Sequence, residues 1–83
     1  MVFELWNIIM NRSQSWVNRI DLFEIVNFIC MNVPESSITD VYFCPDKTVH
    51  IDVIYGGNDD FLVIDENGMV IIDNSFSTIL QEV

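Results

Sequence analysis

Residues 48–73 alternate apolar runs with two clusters of turn residues, Gly56-Gly57-Asn58-Asp59 and Asp65-Glu66-Asn67-Gly68. Gly and Asn supply the positive-φ positions of tight hairpins. Asp at the first and Gly at the fourth place of the second cluster suit a type I turn. The stretch therefore reads strand, turn, strand, turn, strand. Within it Val49, Ile51, Val53 and Tyr55 alternate with Thr48, His50, Asp52 and Ile54, the period of a strand with one buried face. Pairing Tyr55 with Asp60 and Ile64 with Met69 places Val49, Ile51, Val53, Tyr55, Leu62, Ile64, Met69 and Ile71 on one apolar face, the predicted core. The other face then holds Ile54, Phe61, Val63, Val70 and Ile72, with His50, Asp52 and Asp65 among or beside them. A bulge in either turn would shift these pairs.

A strand over 38–44, followed by the turn Pro45-Asp46-Lys47, makes the meander four-stranded. Ahead of it, residues 2–31 have helical spacing. Glu4, Asn7, Asn11, Gln14, Asn18 and Asp21 form a polar stripe opposite Val2, Leu5, Ile9, Trp16, Ile20 and Phe23. The polar quartet Arg12-Ser13-Gln14-Ser15 divides this region into two helices, 2–12 and 16–31, with one long bent helix as the alternative. Asp21-x-x-Glu24 reads as a capping box. Residues 22–31 are apolar on nearly all sides and are predicted to be buried, and Val33-Pro34 ends the segment. Residues 35–37 form a linker. Asn74-Ser75 can cap a short terminal helix whose Phe76, Ile79, Leu80 and Val83 share a face. The expected fold class is α+β: N-terminal helices packed on a four-stranded antiparallel meander, with a short C-terminal helix. Residues 1–83 are read as one domain, with a helical part (1–34), a meander (38–73) and the terminal helix (75–83).

Eighty-three residues with 51% hydrophobic side chains hold more apolar surface than a small core can hide. A patch left for a partner or a second copy, giving a homodimer, is expected. No uncharged run approaches the ~20 residues of a membrane-spanning helix. The start Met1-Val2-Phe3-Glu4 lacks the features of a signal peptide. The expected location is cytoplasmic, with no membrane contact. Cys30 and Cys44 are then free thiols; a bridge between them would need the helix and the first strand to abut.

The net charge is −10. Residues 1–34 hold Glu4, Asp21 and Glu24 against Arg12 and Arg19, whereas residues 35–83 hold ten acids against Lys47 alone. Without a Lys/Arg cluster there is nothing to displace phosphate counterions, so direct nucleic-acid binding is disfavoured. The natural partner of such a surface is a basic protein.

Signatures of chemistry are weak. Asp65-x-Asn67 with Gly68 shares residues with a calcium loop, but the glycine is misplaced and the closing glutamate is absent. Cys44, His50 and Asp52 can be drawn as nucleophile, base and orienter, supported only by residue identity. One histidine excludes a multi-histidine metal site, and the cysteines lack zinc spacing. No phosphate loop follows a strand. The expectation is a non-enzymatic protein with no catalytic residue, metal or cofactor. Trp6 and Trp16 are read as core, with Trp6 the more exposed of the two.

Asp59, Asp60 and Asp73 are expected to converge at one hairpin end, with Asp60 opposite Asp73, and like charges across a sheet repel. The candidate partner-binding set is Asp52, Asp59, Asp60, Asp65, Glu66 and Asp73 with Phe61 and Val63. Carboxylates spaced along strands can stand in for phosphates, so the favoured expectation is an inhibitor occupying the nucleic-acid groove of a basic host protein. Size and acidity are similar to those of small phage-encoded anti-CRISPR and anti-restriction proteins, a compositional likeness with no family motif behind it. An immunity protein or antitoxin against a basic toxin is the alternative, and a structural homodimeric subunit a further one.

Overall fold

Pro34 decides where the first described helix ends, because a residue preceding proline is pushed out of the helical region. The computed structural model describes residues 15–17 and 19–82. The expected helix over 2–12, including Trp6, lies outside them, as does Val83. Helix α1 spans Arg19–Asn32. Its last turn closes with Val33 N donating to Ile29 O at 2.9 Å, and Ser36 then bonds Val33 O through both its amide and its hydroxyl. Because α1 starts at Arg19, Asp21 lies in its first turn and does not cap it, contrary to the capping-box expectation. A carboxylate there still complements the positive end of the helix dipole.

Leu22, Val26, Ile29 and Val33 are buried at helical spacing. The expectation that residues 22–31 are buried all round fails, since Phe23, Phe28 and Met31 are 37%, 46% and 72% exposed. A helix has one face toward a small core, and apolar residues at the remaining positions stay outside it.

Strands β1 (Ser36–Phe43), β2 (Val49–Tyr55) and β3 (Asn58–Ile64) form an antiparallel sheet in that order, and helix α2 spans Ser75–Gln81. Among the described residues the architecture is α+β with three strands, not the four expected. The β2–β3 turn is Gly56-Gly57 alone, both at positive φ (60° and 79°), so Tyr55 pairs with Asn58 and not with Asp60. This two-residue difference from the expected register leaves every face assignment of β2 and β3 intact.

The second turn differs by one residue, which reverses the faces. Asp65 N donates to Met69 O, Gly68 N donates to Asp65 O, and Gly68 sits at φ 82°. This five-residue loop pairs Ile64 with Val70, where Ile64 with Met69 was expected. Met69 and Ile71, predicted in the core, are 64% and 49% exposed. Beyond Ile71, whose N–H reaches Val63 O at 3.0 Å, pairing stops. Asn74 takes over, donating from Nδ2 to Phe61 O at 2.7 Å while its Oδ1 accepts from Ser77 N at 2.9 Å. A single side chain thus both caps α2 and occupies a β3 carbonyl that a fourth strand would have used.

The core is one cluster. Val41, Val49, Ile51, Val53, Leu62 and Ile64 from the sheet join Leu22, Val26, Ile29 and Val33, together with Phe76 of α2. Each such fully buried side chain contributes roughly 1.5–3 kcal/mol relative to exposure. Trp16 packs against this cluster, its ring meeting Phe43 edge-on at 6.5 Å. Phe76 meets Tyr55 in the same way at 6.0 Å.

Candidate functional site

The sheet face turned away from this core is set by an irregularity in β1. Ile38 pairs with Val53 but Asp40 pairs with Asp52, so Thr39 is an extra residue, a β-bulge. The bulge lets Val41 and Phe43 follow Ile38 inward despite the odd spacing, and it turns Asp40 and Tyr42 outward. The result is two rows across the sheet, Asp40–Asp52–Phe61 and Tyr42–His50–Val63.

Asp40 and Asp52 are therefore direct cross-strand neighbours of like charge, which is unfavourable by itself. Two donors moderate it. His50 Nε2 lies 2.9 Å from Asp52 Oδ1. The Val41 amide donates to Asp40 Oδ1 at 2.8 Å, and the neighbouring Asp40 carboxylate, through hydrogen bonding and then charge, raises the Tyr42 pKa above the ordinary tyrosine value. The His50 ring stacks on Phe61 with centroids 5.1 Å apart and meets Tyr42 edge-on at 6.0 Å. Carboxylates and aromatic rings thus alternate on one open surface, with Tyr42 45% and Ile54 40% exposed. Beside it, a recess of about 360 Å³ is lined by Thr39, Asp52, Val53, Asp59, Asp60 and Phe61.

Of the residues singled out from sequence, the pairing brings Asp52, Asp59, Phe61 and Val63 to this face. Val63 is only 7% exposed and adds little contact area. Asp60 pairs with Val53, not Tyr55, and its carboxylate turns to α2, accepting from Ser75 Oγ at 2.6 Å and from Phe61 N at 2.9 Å. Asp65 is a turn anchor, its Oδ1 accepting from Asn67 N and Met69 N. Glu66 stands 3.9 Å from Lys47 in an exposed pair worth little energetically. Asp73 is exposed just before the α2 cap. Among the described residues no strand pairing sets Asp60 opposite Asp73.

Asp40 and Tyr42 were missed. The signal for them was present in β1, where inward residues at 38, 41 and 43 cannot share a face without a bulge.

A Cys44–His50–Asp52 relay finds no support in the pairing, since His50 lies opposite Tyr42 and Cys44 sits in the turn beyond Phe43. Both cysteines are free thiols. Among the described residues, no group of three or more His, Cys, Asp or Glu side chains is placed to hold a metal ion, and no helix is long and apolar enough to cross a membrane.

The chain matches no protein-family model, and no curated protein or solved structure is significantly similar to it.

Proposed function

We propose that this chain is a non-enzymatic binding protein that presents the outer sheet face to a basic protein, in the concrete form of an inhibitor that competes with nucleic acid for a cationic groove. The observation that carries the reading is the juxtaposed Asp40 and Asp52 carboxylates, with Phe61 and Ile54 leading along the sheet to Asp59 and Tyr42 and His50 in the row on their other side. Carboxylates on adjacent strands supply repeated negative charge, and a guanidinium can pair with Asp40 or Asp52 while stacking on the neighbouring rings. The apolar and aromatic contacts add area whose contribution does not fall with salt. The four-residue grouping of Asp40, Asp52, Tyr42 and His50 sits on strands, so a partner meets it already ordered.

The test is competition. Host proteins retained by the immobilised chain are assayed for nucleic-acid binding with and without it. The expected result is displacement of the nucleic acid, with a triple variant D40N/D52N/D59N about tenfold weaker, mainly through slower association. Its thermal midpoint should stay at or above that of the parent, because like charges are removed. Undiminished displacement by the triple variant would remove the face from the interface. Recovery of a dedicated toxin in place of a nucleic-acid enzyme would move the reading to an immunity protein using the same surface.

A further inference from the structure

On the opposite side of the sheet from the acidic face, an open groove of about 470 Å³ runs between α1, α2 and residues 67–70. Its apolar lining includes Ile25 and Phe28 of α1, Leu62 and Ile64 of β3, Val70 and Leu80. Leu62 and Ile64 are buried at the floor, while Phe28 and Val70 stand 46% and 37% exposed at the lips. A volume of this size lies within the ~300–1,000 Å³ range of binding pockets. Apolar lips of this kind on a small chain mark an interaction surface.

The charges around the groove select its occupant. Among the described residues the charged ones that line it are Asp21 and Glu24, both acidic and both on α1. A second copy of this chain brings ten further negative charges, and an anionic amphiphile would place its head group against the same carboxylates. A cationic partner gains from them instead.

Shape narrows the choice further. The α1 wall runs from Asp21 to Ile29, eight residue steps or about 12 Å of helix. Two of the walls are helices, and a third helix packs between two by setting its apolar ridge in their cleft. We infer that the groove is a docking site for a basic amphipathic helix of two to three turns. Its apolar side chains enter over Leu62 and Ile64, and its Lys or Arg side chains reach Glu24. This is the helix-in-groove mode of recognition. The site is separate from the outer face and does not depend on the reading given to it.

A fluorescein-labelled 14-residue peptide of leucine and lysine, with its leucines at helical i, i+3, i+4 and i+7 spacing, is the probe, read by anisotropy at physiological ionic strength. The control is the same composition in scrambled order. The expected result is binding of the patterned peptide at least about tenfold tighter than the scrambled one, lost by about tenfold or more in Phe28→Asp and again in Val70→Asp. Both substitutions fall on exposed positions, and circular dichroism verifies that each variant is folded. Glu24→Lys should weaken binding severalfold, and Asp52→Asn on the other face should leave it unchanged. Equal binding of the scrambled peptide, or equal loss in Asp52→Asn, would reduce the effect to bulk charge and overturn the site. So would a dimer in sedimentation that Phe28→Asp converts to monomer, because a second copy would then fill the groove.

Discussion

Two turns in this protein have the same backbone design and opposite consequences. In the first, Cys44 N donates to Thr48 O and Lys47 N to Cys44 O; in the second, Asp65 N donates to Met69 O and Gly68 N to Asp65 O. The fourth residue is left-handed in both, Lys47 at φ 64° and Gly68 at φ 82°. By local chemistry the second turn is the better one, since a side chain in that conformation costs about 1–2 kcal/mol and glycine avoids it. Yet the first turn joins two strands paired along their length apart from the Thr39 bulge, and the second yields a single bridge, Ile64 with Val70. The difference lies in the residues C-terminal to each turn. Beyond Thr48 come Val49 and Ile51, both buried, whereas beyond Met69 come Val70, Ile71 and Ile72, all exposed. A turn permits a hairpin, but burial of the strands it joins is what sustains one.

The sharpest way to break this comparison is to truncate one isoleucine from each hairpin. Ile51→Ala should cost ~2–5 kcal/mol in denaturant unfolding, because a fully buried side chain leaves a cavity. Ile71→Ala should cost no more than about 0.5 kcal/mol. Similar losses at both positions would mean that the second arm is as firmly packed as the first.

The turns themselves come next. Gly68→Ala should destabilise by about 1–2 kcal/mol, since its φ suits glycine and an added Cβ would lie 3.2 Å from Ile25 Cδ1. Lys47→Gly should stabilise by about 0.5–1 kcal/mol, the strain it relieves exceeding the flexibility it adds. If Lys47→Gly destabilises, the lysine side chain matters more to the turn than its conformation does.

A smaller effect is expected at the point where the fourth strand gives way to α2. Asn74→Ala should cost about 1 kcal/mol through loss of the cap. It should also speed amide exchange in α2 while leaving β2 protected. Faster exchange throughout β2 would show that Asn74 holds the sheet and not merely its edge.

The outer face shows how far local pattern reaches. His50, Asp52, Ile54 and Phe61 were legible there from alternation alone, because a two-residue change of register preserves sidedness. Asp60 was misplaced for a different reason. Its place depends on Ser75 and Asn74, fifteen and fourteen residues away, coming back to meet it. The Asp40–Asp52 contact needs the Thr39 bulge, and the groove needs α1, α2 and Val70 to meet over β3. The single-residue offset at the second turn is what sends Val70 to the helix side and Met69 and Ile71 outward.

Strand period, turn glycines, the proline stop and the asparagine cap are encoded over a few residues, so composition and spacing determined the α+β class, the core of β2 and β3, the cap of α2 and the acidic character of the β half. How many strands persist, which carboxylates become neighbours and where apolar surface stays open were decided by tertiary structure. Those outcomes depend on competition between distant groups for the same hydrogen-bonding edge and the same limited interior, and no local stretch contains both competitors.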